Sequence, residues 1–135
     1  MPAVLVVESD DDLREVLVEG LRVEGWTPLA AGSLREAMNK AGGSHVDVVL
    51  TDVILSRGDG VALELAFRRH TELRHVPFVF MTGYGPYFDQ LGPARALLKP
   101  FRLEDACRLL SVIVAAGAAR AGLRRGAPAC AAEQA

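Results

Sequence analysis

Asp52 closes an apolar run, Val48-Val49-Leu50-Thr51, and a short loop then leads to the pair Asp59-Gly60. A carboxylate in that place can act as a nucleophile, a metal ligand or a helix cap. Other reactive residues stand at the ends of comparable runs: Glu8 and Ser9 after Ala3–Val7, Thr82 after Val76–Met81, and Lys99 after Arg95–Leu98. A lone carboxylate attacks phosphorus poorly, because both partners are negative. A divalent cation shared between them removes the repulsion. An ammonium adds a second positive contact, and a hydroxyl can bond a phosphoryl oxygen. Gly83 leaves room beside Thr82. The set therefore suits acyl-phosphate formation on an aspartate. It suits peptide or ester hydrolysis badly, because no histidine or cysteine takes a base or nucleophile position. His45, His70 and His75 fall in loops or at helix ends and read as exposed polar residues.

These residues meet only if the elements between them bring them together. Ala3–Val7, Asp47–Thr51 and Val76–Met81 are short apolar runs rich in β-branched or aromatic residues, as in strands buried on both faces. Trp26–Ala31 is a weaker strand, and Pro28 marks it as an edge. Arg95–Leu98 is a short fifth strand. Helices alternate with them. The first opens on Asp10-Asp11-Asp12, carries Leu13, Val16, Leu17 and Leu21 on one stripe and ends at Gly25. Ser33 and Glu36 form a capping box for the second, with Leu34, Ala37, Met38 and Ala41 inward and Gly42-Gly43 as the stop. Asp59, read as a cap or turn residue, precedes the third, with Ala62, Leu65 and Ala66 inward and Leu63 open as a fourth inward position. The last runs from about Arg102 to Ala116 with Leu103, Ala106, Cys107, Leu110, Ile113 and Val114 on its stripe. Strict alternation predicts a doubly wound parallel sheet with helices on both faces. Right-handed crossovers place every strand's carboxyl end on one rim. That rim collects Glu8, Ser9, Asp52, Thr82 and Lys99, and there ligands and chemistry gather.

The 135 residues fit one domain with a core of its own. The net charge of −2 asks for no nucleic acid. Cys107 and Cys130 fit no ligand spacing and point to a reducing, cytoplasmic setting, with Cys107 as inert core. No secretory pattern opens the chain, and Val112–Ala119 is too short to span a bilayer, so no membrane partner is expected. Residues 1–117 read as the folded domain. Residues 118–135 read as an Ala/Gly/Arg-rich tail that prolongs the last helix and then frays, with Arg120, Arg124 and Arg125 as solvated helix surface.

From Val4 to Leu110 the chain resembles the receiver domains of two-component response regulators. The resemblance rests on VLVVESD with Glu8, TDVILSRGDG with Asp52 and Asp59-Gly60, FMTGYG with Thr82, and LLKPF with Lys99-Pro100. It implies a CheY-like, flavodoxin-like sheet of five strands in the order 2-1-3-4-5. It implies that Asp52 accepts phosphate from a histidine kinase or histidine phosphotransfer protein in the presence of Mg2+. Glu8 would hold the metal through water, and the Ile54 backbone carbonyl would bind it directly. Thr82 would reorient onto the phosphoryl group, Lys99 would pair with it, and Lys99-Pro100 would be cis.

Three departures from the family pattern stand out. The second acidic position after the first strand, a direct metal ligand in the family, is Ser9. A neutral hydroxyl binds a hard cation less well than a carboxylate, so the Mg2+ site is expected to be weakened. Asp10 either substitutes for that ligand or caps the helix; Ser9 and Asp10 both stay open as ligands. The position three before Lys99, aromatic in the family, is Ala96; Tyr84 is the other candidate for a switching ring. The stretch from Thr82 to Lys99 is short and punctuated by Gly83, Gly85, Pro86, Gly92 and Pro93. Only Tyr87–Leu91 is left to be helical, so the fourth helix is expected to be shortened or missing.

The leading expectation is a stand-alone phosphoacceptor that signals by binding a downstream protein and is not an enzyme. A homodimer is left open. The alternative is a degenerate receiver that binds partners regardless of phosphorylation. A small phosphotransferase or phosphatase with Asp52 as turnover nucleophile ranks below both, since no second carboxylate is placed as a general acid.

Overall fold

The computed structural model of the chain describes residues 1–56 and 58–124. The expected tail from position 125 onward, including Arg125 and Cys130, lies outside the described residues. In chain order the elements are β1 (Ala3–Val7), α1 (Asp11–Val23), β2 (Thr27–Ala31), α2 (Leu34–Gly43), β3 (Val48–Asp52), α3 (Gly60–Arg69), β4 (Phe78–Thr82), α4 (Gly85–Leu91), β5 (Ala96–Leu98) and α5 (Leu103–Arg124). The five strands form one sheet in the order β2-β1-β3-β4-β5, and every pairing is parallel. This is the doubly wound flavodoxin-like, CheY-like topology that the alternation of elements and the family resemblance predict.

The period of two along each central strand sorts side chains to two cores. Leu5, Val7, Val49, Phe78 and Phe80 face the layer of α2 and α3 and pack with Leu63 and Phe67. Val4, Val6, Val48, Leu50, Val79 and Met81 face the layer of α1 and α5 and pack with Leu17, Leu21, Ala106 and Leu110. All residues of β1, β3 and β4 are buried, which accounts for their unbroken apolar runs. β2 lies at the sheet edge, where the missing N–H of Pro28 deprives no outer strand of a partner.

Several local expectations need correction. Val16 is 68% exposed, so the inward stripe of α1 is carried by Leu13, Leu17 and Leu21. On α3 Leu63 is buried, as the expectation allowed, but Gly60 and Phe67 complete the inward face while Ala62 is exposed and Leu65 is 51% exposed. Gly60 sets that face by seating its backbone against the end of β3, which turns positions three and seven residues later inward. Ser33 caps α2 through the Glu36 N–H, but Glu36 Oε1 accepts from the Gly32 N–H at 2.6 Å and not from Ser33. The expected box is thus displaced by one residue.

The fourth helix is shortened, not missing. It spans seven residues and starts at Gly85, two residues before the expected Tyr87, because Pro86 is tolerated in a first helical turn. α5 continues without a break through Gly117 to Arg124. Among the described residues no helix is long and apolar enough to cross a membrane.

Candidate functional site

The register of the sheet brings four strand ends level. Val7 pairs with Thr51, Asp52 with Met81 and Thr82 with Leu98. The residues that follow β1 and β5, and the last residues of β3 and β4, therefore share one rim. Glu8, Asp52 and Thr82 are buried there at 3%, 5% and 7% exposure.

Glu8 is held by four contacts. Its N–H donates to the Ala31 carbonyl, and its own carbonyl accepts from Arg14 Nη1 at 2.7 Å. Oε2 accepts from the Asp10 N–H at 3.0 Å, and Oε1 accepts from Lys99 Nζ at 2.8 Å. The same Nζ lies 2.6 Å from Asp52 Oδ1. That approach is not aligned as a hydrogen bond: Oδ1 is a buried side-chain oxygen without a hydrogen-bond partner. Lys99 thus spans two carboxylates, bonded to Glu8 and in charge contact with Asp52. Its backbone N–H donates to the Thr82 carbonyl at 2.8 Å, and the Lys99-Pro100 peptide is cis, as expected.

Two buried carboxylates with one counter-charge shift one another's titration. Burial, with Glu8 alongside, raises the Asp52 carboxyl to about 7, against the lowering pull of Lys99. Burial by itself would raise Glu8 too, but the neighbouring Asp52, the Lys99 ammonium and the Asp10 N–H outweigh that and leave it lowered. Lys99 is raised, because the two carboxylates outweigh its own desolvation.

The remaining candidates make other contacts. Thr82 Oγ1 accepts from the Tyr84 N–H at 3.0 Å. Tyr84 is 56% exposed and meets Tyr87 edge-on at 4.8 Å between ring centres. Ala96 is buried opposite Phe80, so no ring occupies that position. Asp10 is the N-cap of α1, accepting from the Asp12 and Leu13 N–H groups at 3.0 and 3.1 Å. One oxygen, Oδ1, makes both of these bonds. Ser9 is half-buried beside Glu8. Ile54 lies in the loop after β3, bridged to Asp59, with its side chain 63% exposed. Asp59 caps α3 through the Ala62 N–H at 2.6 Å.

Two contributors were not visible as such in the sequence. Arg14 pairs with Asp11 one turn earlier, which i, i+3 spacing signals, but its reach to the Glu8 carbonyl depends on the loop between them. Gly60 packs directly on the backbone of Asp52: a Cβ there would lie 2.2 Å from the Asp52 carbonyl oxygen.

The donor set suits a hard divalent cation. It consists of two buried carboxylates, one of them with an oxygen lacking a hydrogen bond, beside the main chain that leaves β3. Among the described residues no third acidic, histidine or cysteine side chain joins them.

Comparison with known proteins places this geometry in context. Residues 4–111 match the family described as the response regulator receiver domain. The chain is 32% identical over 111 residues to the response regulator receiver protein CpdR of Brucella abortus, an alignment covering 78% of this chain and 90% of CpdR. The phosphate regulon transcriptional regulatory protein PhoB of Escherichia coli is longer: the match, 28% identical over 116 residues, covers 82% of this chain and 51% of PhoB. Among solved structures, the chemotaxis protein CheY4 of Vibrio cholerae superposes with a TM-score of 0.75 at 27% identity, covering 84% of this chain and 98% of CheY4. TrrA of Thermotoga maritima, solved in complex with Mg(2+)-BeF, shares the fold with a TM-score of 0.72 at 22% identity, covering 84% of this chain and 99% of TrrA.

Proposed function

The chain belongs to the response regulator receiver family of two-component signalling, and we propose that it works by accepting a phosphoryl group on Asp52 from the phosphohistidine of a histidine kinase or phosphotransfer protein. The observation that carries this reading is the buried Asp52 carboxylate at the end of β3, with the Lys99 ammonium 2.6 Å from its Oδ1. In the transfer an Asp52 oxygen forms its bond to phosphorus as the phosphorus–nitrogen bond breaks. The electron pair of that bond returns to the imidazole. Lys99 keeps Asp52 in place beforehand and pairs with the phosphoryl oxygens afterwards. Thr82 gives up the Tyr84 N–H and turns its hydroxyl to a phosphoryl oxygen.

Glu8, Asp52 and the Ile54 carbonyl would hold a magnesium ion, whose positive charge would offset the repulsion between carboxylate and phosphoryl group. Ser9 offers only a neutral oxygen, and Asp10 is engaged as the α1 cap. The affinity for the ion is accordingly lower than two adjacent acids after β1 would give. Output passes to a downstream protein by surface contact.

The degenerate, phosphorylation-independent reading has one observation on its side: Lys99 already offers a counter-charge to both carboxylates without a cation. Intact-mass spectrometry after incubation with acetyl phosphate separates the two. A magnesium-dependent gain of one phosphoryl group, absent in Asp52→Asn, is the expected result. An unchanged mass with acetyl phosphate and with a phosphorylated histidine kinase would favour the binding module.

A further inference from the structure

At the opposite rim of the sheet, where β4 and β5 begin, a groove of about 720 Å³ lies between α3 and α5. Four arginines line it, Arg68, Arg74, Arg95 and Arg120, against the single carboxylate of Glu64, so three positive charges remain. The chain as a whole carries −2, which makes this a local concentration against the general balance. Glu64 already takes up two of the guanidiniums, with Arg68 and Arg95 Nη2 at 3.2 and 3.0 Å from its Oε2. Those two also rest over the Phe78 and Phe80 rings, at 5.5 and 5.4 Å, and are thereby fixed in place. Arg74 and Arg120 differ: both are exposed, and neither makes an ion pair with any described residue.

Beside these two free charges stand aliphatic side chains. Val61 and Leu65 on α3 are each 51% exposed. Ile113 and Ala116 of α5 face them across the groove. No residue of the short α4 lines this groove. Apolar and cationic surface thus alternate over one concave patch that the phosphoryl chemistry at the other rim does not use.

We propose that this groove docks an acidic segment of a partner protein, one in which aspartates or glutamates alternate with aliphatic residues. Charge complementarity selects the acidic groups, and Val61, Leu65 and Ile113 receive the aliphatic ones. Nucleic acid fits less well. Phe78, the one phenylalanine, tyrosine or tryptophan lining the groove, is 3% exposed with Arg68 over its face, so its ring is closed to a stacking base.

The test uses the whole chain and a fluorescein-labelled peptide of about 16 residues, with Leu and Glu at helical i, i+3, i+4 spacing. Fluorescence anisotropy is read for the wild type and for the double variant Arg74→Glu, Arg120→Glu. Both positions are exposed, and circular dichroism confirms that the variant folds. Saturable binding, weakened about tenfold or more in the double variant and absent for a peptide with Lys in place of Glu, is the expected result. Amide shifts in a 15N-labelled sample should then fall on Val61, Leu65 and Ile113. No saturable binding, or equal binding by the double variant, overturns the proposal. So does tighter binding of a single-stranded oligonucleotide. Sedimentation velocity covers the remaining occupant: self-association lost in the double variant would assign the groove to a second copy of this chain instead.

Discussion

Gly60 and Asp52 are in backbone contact. The Gly60 N–H donates to the Val53 carbonyl at 2.8 Å, and the position of a Cβ on Gly60 falls 2.2 Å from the Asp52 carbonyl oxygen. The start of α3 is thereby seated on the strand that presents the reactive carboxylate. Gly60→Ala must push the helix or the strand end aside. Overpacking of this kind costs about 1–3 kcal/mol, and the obstacle here is rigid main chain. Urea denaturation should show an unfolding free energy lower by that amount, seen as a lower midpoint at unchanged slope. Phosphoryl incorporation from acetyl phosphate should fall as well, because the displaced backbone carries Asp52.

Asp52→Asn should stabilise the metal-free protein above neutral pH. The folded-state carboxyl is raised from 3.8 to about 7. Between those values the folded chain binds the proton more tightly than the unfolded chain, so stability falls as pH rises through the window. A shift of that size corresponds to at most about 4 kcal/mol. Glu8 is lowered, so its own loss of stability lies below its ordinary value of 4.5 and does not oppose Asp52 near neutrality. Thermal melts should give the Asp52→Asn variant a clear gain at about pH 8 that shrinks steadily towards about pH 5. An increment that does not vary with pH would contradict the burial of an ionised Asp52 as its cause.

Lys99→Met removes the only ammonium within reach of Glu8 and Asp52 among the described residues. The two carboxylates then repel without a counter-charge, and the Asp52 titration should move above about 7. Carbon-13 NMR of the aspartate side-chain carboxyls reads that midpoint directly. A midpoint unmoved, or moved down, would mean that Lys99 exerts no field on Asp52.

Ser9→Asp restores a second carboxylate beside Glu8. Affinity for a hard cation follows the number of charged ligands, so Mg2+ should bind roughly tenfold tighter by isothermal titration calorimetry. The same variant should become less stable without the ion, because a third negative charge joins a rim with one lysine. Unchanged Mg2+ affinity would remove Ser9 as the reason for a weak site.

Much of this protein was legible in its sequence for physical reasons that act locally. Ala3–Val7 and Val48–Leu50 announce strands buried on both faces because no polar residue interrupts them. Ser33 and Asp59 announce helix starts because a short acceptor side chain satisfies an orphan N–H. Parallel pairing with right-handed crossovers then obliges Glu8, Asp52, Thr82 and Lys99 to share one rim. Tertiary structure decided what no local rule contains. It made Asp10 the cap of α1, because two N–H groups of the helix lie within reach of its Oδ1. Among the inward candidates on α3 it kept Leu63, added Phe67 and turned Ala62 and Leu65 outward, because the seat of Gly60 on Asp52 sets the rotation of the helix. It raised the Asp52 carboxyl and lowered Glu8, since burial and the position of one ammonium are properties of the assembled sheet. And it gathered Arg68, Arg74, Arg95 and Arg120, scattered along the sequence, around one groove.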